Sequence, residues 1–342
     1  MIDLRSDTVT KPTKDMLAYM VQAEVGDDVY GEDPSVNILQ NKVAQLFNKE
    51  AALFMPSGTM SNQVALRTHS EPGDEVICDT NCHIFNYESG AAAALSGLQL
   101  FPVNGEKGIL TLEQIEDLGR PFDHHFPQTK VVTLENTHNR AGGTIYPINE
   151  IKKIGKWTRQ NDYGFHLDGA RLMNASVATG ISPKDYAEYF DSISLCFSKG
   201  LGTPAGSILI GSQSFIHRAH RNRKMFGGGM RQVGFLAAGA IYALDNHVKR
   251  LAEDHHRAKQ LAETLDELGM LENEMKWTQT NIVMMKAPNG NADDIVVALF
   301  EAGLKVSLVN NHKIRLVTHL DFSDDDLERS IKILKKTMKD FN

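Results

Sequence analysis

Short apolar runs alternate with stretches of helical spacing along most of this chain. The runs at residues 75–78, 98–103, 130–134, 163–167, 192–197 and 207–210 are four to six residues long. Between and before them apolar residues recur three and four apart, as Val36, Leu39, Val43, Leu46 and Phe47 do within residues 35–47, and again from 60 to 66. Strand–helix alternation of this kind predicts βαβ units and a mostly parallel sheet with both faces covered. From residue 231 a helical pattern runs with little interruption to about 268 and is expected to carry the chain out of a first domain. The rest reads β-α-β-β-α, with strands at 280–286, 305–309 and 314–318, a helix at 292–302 and another from 323. Asn310-Asn311 is the expected hairpin turn. Residues 1–14 read as an extended arm closed by Lys11-Pro12. The expected fold class is therefore α/β. It has an N-terminal arm (1–14), a large domain with a central, mostly parallel sheet covered by helices (15–245) and a small C-terminal α+β domain (246–342).

Composition narrows the function classes. The chain has 342 residues, which suits two domains, and a net charge of −7 with no long basic run, which argues against nucleic acid as a partner. Met1-Ile-Asp-Leu-Arg-Ser-Asp7 lacks the apolar core of a signal peptide, and residues 90–100 are too short and too rich in Ala and Gly to span a bilayer. Three cysteines imply a reduced compartment without a disulfide framework. The expectation is a cytoplasmic protein with no membrane partner.

Candidate chemistry centres on Ser192-Ile-Ser-Leu-Cys-Phe-Ser198-Lys199-Gly200-Leu-Gly202, a strand that delivers one lysine into a tight turn. Upstream, His166-Leu-Asp168-Gly-Ala-Arg171 places an acid and then an arginine at the end of another apolar strand, Asp168 lying 31 residues before Lys199. That pair suits pyridoxal phosphate: the lysine forms the Schiff base, and the acid keeps the ring nitrogen protonated so that the ring accepts electrons. A solvated loop lysine is the plain alternative. In Met55-Pro-Ser-Gly58-Thr59-Met60 a strand meets a helix, where a glycine, free N–H groups and a hydroxyl could receive a phosphate, with Ser198 as a further donor. A simple helix cap would look the same.

Two patterns imitate other chemistries. Gly200-Leu-Gly202-Thr-Pro-Ala-Gly206 has the wrong spacing for a dinucleotide fingerprint and precedes a strand. Cys78-Asp-Thr-Asn-Cys82-His83 has no second ligand pair at zinc spacing, so buried thiols are the reading and no metal is expected. His124-His125 and His255-His256 read as surface histidines.

His83 comes just after a strand and so belongs at the carboxyl edge of the sheet, where an imidazole can stack on a cofactor and move protons; Glu88 could orient it. A half-buried histidine satisfied by backbone is the alternative. Arg171 and Arg315 are candidates for a substrate carboxylate, because the guanidinium fork matches its two oxygens. Either could instead be paired across a sheet.

These residues sit within or beside six ordered segments: Asp3-Leu-Arg-Ser-Asp-Thr-Val-Thr10, Pro56-Ser-Gly-Thr-Met-Ser-Asn62, Glu135-Asn-Thr-His138, His166-Leu-Asp-Gly-Ala-Arg171, Ser198-Lys-Gly-Leu-Gly202 and Gly227-Gly-Gly-Met-Arg-Gln232. On these segments the chain resembles, over nearly its whole length, the low-specificity L-threonine aldolases, pyridoxal phosphate enzymes of the aspartate-aminotransferase fold. The resemblance implies retro-aldol cleavage of L-threonine, L-allo-threonine and other β-hydroxy-α-amino acids to glycine and an aldehyde. A β-eliminating lyase or an amino-acid racemase is the alternative on the same fold. It further implies that Lys199 carries the Schiff base, that Asp168 holds the ring nitrogen, and that Gly58, Thr59 and Ser198 contact the phosphate. His83 would stack on the ring and help with proton transfer. Ser6, Arg171, Arg315 and Tyr30 would bind substrate, and His125 would lie near its hydroxyl. Lys224 and Arg231 would reach a neighbouring subunit's site, which implies a homo-oligomer, a dimer of dimers, with shared sites.

Overall fold

The computed structural model describes residues 1–341. A seven-stranded sheet is built from β2 (Ala51–Met55), β3 (Glu75–Asp79), β4 (Gln99–Val103), β5 (Thr129–Glu135), β6 (Gly164–Asp168), β7 (Ser192–Cys196) and β8 (Ser207–Gly211), in the order β2-β8-β7-β6-β5-β3-β4. β7, β6, β5, β3 and β4 run parallel, and β8 lies antiparallel between β7 and β2. The mostly parallel sheet is thus present, and each expected strand lies within a residue or two of its place.

The two faces of this sheet differ. Val132, Leu134, Phe165, Leu167, Ile193 and Leu195 are buried in the largest apolar cluster. The opposite face, packed under the helix Gly58–His69, carries the buried Thr133, His166 and Ser192, side by side in register, with Ser194 opposite Asp168 in the next row. Such a layer requires hydrogen bonds in place of the apolar contacts usual between helix and sheet.

A second apolar cluster includes Leu261 and Leu265 from the helix Leu251–Glu267, with Ile295, Leu316 and Leu334. Here β9 (Ile282–Lys286), β11 (Ser307–Asn310) and β12 (Lys313–Val317) form an antiparallel sheet in the order β11-β12-β9. The closing helix Asp324–Thr337 begins at a Ser323–Asp326 capping box with acids in its first turn and ends on Lys335 and Lys336, charges that complement its dipole. The arm does not stand free. β1 (Ile2–Asp3) pairs in parallel with β10 (Leu304–Lys305), and Ile2 and Leu4 join the second cluster.

Two local expectations shift. The helical run from 231 divides into Gly234–Asn246 and Leu251–Glu267, with His247 between them held by the Leu201 carbonyl at 2.7 Å. In the last hairpin Asn310 pairs with Lys313, so the turn residues are Asn311 and His312. Among the described residues no helix is long and apolar enough to cross a membrane.

Candidate active site

Parallel strands end together at one edge of the sheet, and the residues just past those ends set the chemistry the edge can hold. Ser198 and Lys199 lie just past β7 and are half-buried. The turn beyond them closes through a hydrogen bond from the Gly202 N–H to the Lys199 carbonyl at 2.8 Å, with Gly202 at φ +78°. At the end of β6 the buried Asp168 carboxylate accepts from the Asn62 side-chain amide at 2.9 Å and from the Ala170 N–H at 3.1 Å. Burial acts to raise its pKa, yet the charges of His83 and Lys199 and these two donors hold it below the ordinary aspartate value. A buried, ionised acid beside a lysine is the environment a protonated pyridine nitrogen requires.

β2 leads through Ser57, whose hydroxyl caps Met60, into the helix Gly58–His69. A side chain at Gly58 would put its Cβ 2.5 Å from the Cys196 sulfur. The helix N-terminus, with Thr59 half-buried beside Gly58, is therefore pressed against the end of β7, just before Ser198. Free N–H groups, a hydroxyl and a second serine fit a phosphate there.

His83 begins a short helix after β3. Its backbone N–H donates to Glu135 at 2.7 Å, and Nδ1 bonds the fully buried Glu88 carboxylate at 2.9 Å. Glu88 thus orients the imidazole as expected. Burial lowers the His83 pKa, but the Glu88 hydrogen bond and the charges of Asp168, Glu88 and Glu135 more than reverse this and raise it above 6.5. Donor atoms of His83, Glu88 and Asp168 converge closely enough to suggest a cation. The amides of Asn62 and Gln63 already aim N–H groups at Glu88, at 2.8 and 2.6 Å, an arrangement that repels a metal.

The two arginines differ in whether their charge is already paired. Arg171 is buried in a bidentate pair with Asp7, at 2.7 and 2.6 Å, and Asp7 also accepts from Asn281. Together Arg171 and Asp7 are neutral. Arg315 donates to the Asn139 side chain at 2.6 Å and to the Arg5 carbonyl at 3.1 Å, while its buried Nε has no partner. Burial, then repulsion from Arg171, brings its pKa down to about 10, so it stays charged at neutral pH. A buried donor without an acceptor is costly, and a carboxylate would satisfy it. Arg5-Ser6-Asp7 ties these groups together, since Arg5 receives Arg315, Asp7 receives Arg171, and Ser6 lies half-buried between them.

Other candidates stand apart from this cluster. His125 is exposed and bonded to Asp123 at 2.6 Å. It precedes β5, whose first residue pairs with Glu75 at the start of β3, so within one chain it hangs from the amino edge, away from Lys199. Tyr30, Lys224 and Arg231 are exposed together: the Arg231 guanidinium lies over the Tyr30 ring at 5.8 Å and pairs with Asp27 at 2.9 Å. The glycine segment between Lys224 and Arg231 packs on the first turn of the Gly58–His69 helix, where a Cβ on Gly228 would come 2.1 Å from the Met60 sulfur. Cys78 and Cys82 are buried in an apolar cluster. His255 is half-buried and bonded to Asn174 at 3.0 Å, which corrects its reading as a surface residue.

Sequence reasoning did not assign roles to Asn62, Asp7, Glu135 or Asn139. The signal they carry is a polar residue within a segment otherwise destined for the interior, and all four lie in or directly beside the six ordered segments.

The comparisons with known proteins agree with this geometry. The model of the beta-eliminating lyase family matches residues 3–288. A low specificity L-threonine aldolase of Escherichia coli K12 is 45% identical over 328 residues, covering 96% of each chain. A probable low-specificity L-threonine aldolase of Arabidopsis thaliana is 41% identical, covering 98% of this chain and 96% of its own. The structure of Leishmania major threonine aldolase superposes with a TM-score of 0.85 at 22% identity, over 98% of this chain and 99% of that one, which shows the shared fold. The chain belongs to the beta-eliminating lyase family, within its low-specificity L-threonine aldolase branch.

Proposed function

We propose that this protein is a pyridoxal-phosphate-dependent aldolase that cleaves L-threonine, L-allo-threonine and related β-hydroxy-α-amino acids to glycine and an aldehyde. The observation that carries this reading is the convergence of Lys199, Asp168, His83 and the partnerless Nε of Arg315 on one sheet edge. Bound pyridoxal phosphate supplies the sink for the electron pair released when the Cα–Cβ bond breaks. Lys199 provides the amine that holds the cofactor. Asp168 keeps a negative charge where the ring nitrogen carries its proton. Gly58, Thr59 and Ser198 receive the phosphate. Arg315 would take the substrate carboxylate, with Ser6 and the Asp7-bound Arg171 alongside, and so orient the substrate for cleavage. His83, oriented by Glu88, would lie against the bound ring and accept the β-hydroxyl proton, with His125 of another chain or a water as the second candidate. A coupled assay tests the reading. Acetaldehyde in stoichiometry with glycine, from either threonine isomer, supports it; pyruvate in place of acetaldehyde moves the chemistry to elimination.

Substitutions at two of these residues separate binding from proton transfer. Arg315→Ala should raise the KM for L-threonine about 10- to 100-fold, the worth of a charge-assisted hydrogen-bond pair, while pyridoxal phosphate affinity changes little. An unchanged KM would place the carboxylate elsewhere. Neutral His83 is the active base, so kcat/KM should fall as pH drops through its raised pKa, above 6.5. Glu88→Gln removes the partner that raises it, and the acidic limb should move to lower pH. A limb that stays in place would exclude His83 as the titrating base.

Assembly belongs to the same proposal. Tyr30, Lys224 and Arg231 share a surface with exposed Met225, Met230 and Phe235, which suits a homo-oligomer, a dimer of dimers, whose subunits complete one another's sites. Mixing Lys199→Ala with Arg231→Ala protein should then restore part of the activity that each lacks. No restoration after proven subunit exchange would count against shared sites. The three unpaired, buried cysteines suit the cytoplasm, where glycine supply from threonine is the natural role.

A further inference from the structure

The polar layer between the Gly58–His69 helix and the sheet contains one continuous hydrogen-bond chain. It begins at His69, which lines a cleft of about 800 Å³ at the amino edge, remote from Lys199. His69 Nε2 lies 2.7 Å from Ser192 Oγ, and Ser192 Oγ lies 2.8 Å from His166 Nδ1. His166 Nε2 lies 3.2 Å from the Asn62 side-chain oxygen, and the Asn62 amide nitrogen lies 2.9 Å from Asp168 and 2.8 Å from Glu88. Thr133 and Ser194, on the same sheet face, have no partners, so the chain does not spread across the layer.

Its direction is dictated from the acid end. Two carboxylates can only accept, so the Asn62 nitrogen must face them and its oxygen must face His166. His166 Nε2 therefore carries a proton, which leaves Nδ1 bare to accept from the Ser192 hydroxyl. Ser192 Oγ, having donated, accepts from His69 Nε2–H. Burial pushes His166 down to about 4 and His69 to about 3, so both rings are neutral with one donor and one acceptor each. The fit around His69 is close: a Cβ on Gly164 would stand 2.6 Å from its Nδ1.

We propose that His166, Ser192 and His69 are positioning residues whose aligned hydrogen bonds lock the Asn62 amide and thereby hold Asp168 ionised toward the cofactor ring nitrogen. Without the His166 donor the Asn62 oxygen is left buried and unsatisfied, and the amide is free to shift toward another donor. Its two N–H bonds to Asp168 and Glu88 would then lengthen, and the carboxylates would take up a proton more readily. Because Asn62 also holds Glu88, the partner of His83, the same lock couples the ring-nitrogen acid to the imidazole on the other side of the site. The inference rests on the cofactor role proposed for Asp168.

The test uses cofactor-loaded enzyme and three variants. His166→Phe fills the imidazole space without a donor, His166→Gln keeps an N–H near the Nε2 position, and Ser192→Ala removes only the hydroxyl. Three quantities are read: the pH midpoint of the visible absorbance of Lys199-bound cofactor, the pyridoxal phosphate dissociation constant, and kcat and KM for L-threonine. His166→Phe should raise the midpoint by about one pH unit, since a ring nitrogen with less positive charge repels the proton at the lysine linkage less. It should weaken cofactor binding and lower kcat about 10- to 100-fold, with KM within about threefold of wild type. His166→Gln should recover most of this, and Ser192→Ala should move the midpoint the same way by less. A wild-type midpoint and kcat in His166→Phe overturns the proposal, as does an equal loss in His166→Gln, which would signal packing alone. If His166→Phe does not fold, an unshifted midpoint in Ser192→Ala overturns it. Failure of the underlying reading shows separately, as wild-type protein that takes up no cofactor or releases no acetaldehyde.

Discussion

Lys199→Ala is expected to give protein that folds, binds pyridoxal phosphate more weakly, lacks the absorbance band of lysine-linked cofactor and loses at least about a thousandfold in kcat with L-threonine. The lysine is half-buried at the end of β7 and forms no ion pair among the described residues, so removing it breaks no structural bond. The loss is chemical. No other amine stands among the groups gathered at the carboxyl edge, and a cofactor held only through its phosphate and ring nitrogen must be attacked directly by the substrate amine. Absorbance spectra of the reconstituted variant and its steady-state kinetics check this. A variant that keeps both that band and its activity would end the role assigned to Lys199 and with it the proposed reaction class.

Asp168→Asn should cost about 100- to 1,000-fold in kcat, while KM for L-threonine stays nearly constant. The substitution keeps shape and removes charge. In the native site the carboxylate is buried, yet it is kept ionised by His83, Lys199, Asn62 and the Ala170 N–H. An amide there cannot hold a positive charge on the ring nitrogen, so the sink for the released electron pair becomes shallow. In the proposed site the substrate carboxylate goes to Arg315 on β12, beside the N-terminal arm and apart from Asp168, which is why binding should be spared. A rise in KM with unchanged kcat would contradict the assignment and would place Asp168 in substrate binding.

How much of this site is legible in the sequence depends on the separation of its residues along the chain. Lys199 and His83 each lie just past an apolar run that forms a strand, and Asp168 ends another; in a parallel sheet such positions are already at the carboxyl edge. Glu88 lies five residues from His83, close enough for one turn of chain to bring them together. The pairs that set the electrostatics are far apart in the chain: Asp7 with Arg171 over 164 residues, Arg315 with Asn139 over 176, Asn62 with Asp168 over 106. No local pattern contains them. The sequence offers Arg171 and Arg315 as equal candidates for a carboxylate, and only the fold separates them, because Asp7 pairs with the first while the second keeps an open donor.

His125 shows the converse. Its residue type suits proton transfer, but its loop enters β5 from the amino edge, so chain direction takes it away from Lys199 of its own chain. By itself the sequence determined the strand–helix order, the mostly parallel sheet and the strand ends that carry the reactive groups, because these arise from periodicity and from the direction of the chain. Only the tertiary structure decided which arginine is free, which edge each histidine serves and which way the buried amide of Asn62 points. Those outcomes depend on charges and hydrogen bonds between segments that meet only once the two apolar cores have formed and water has left the layer between helix and sheet.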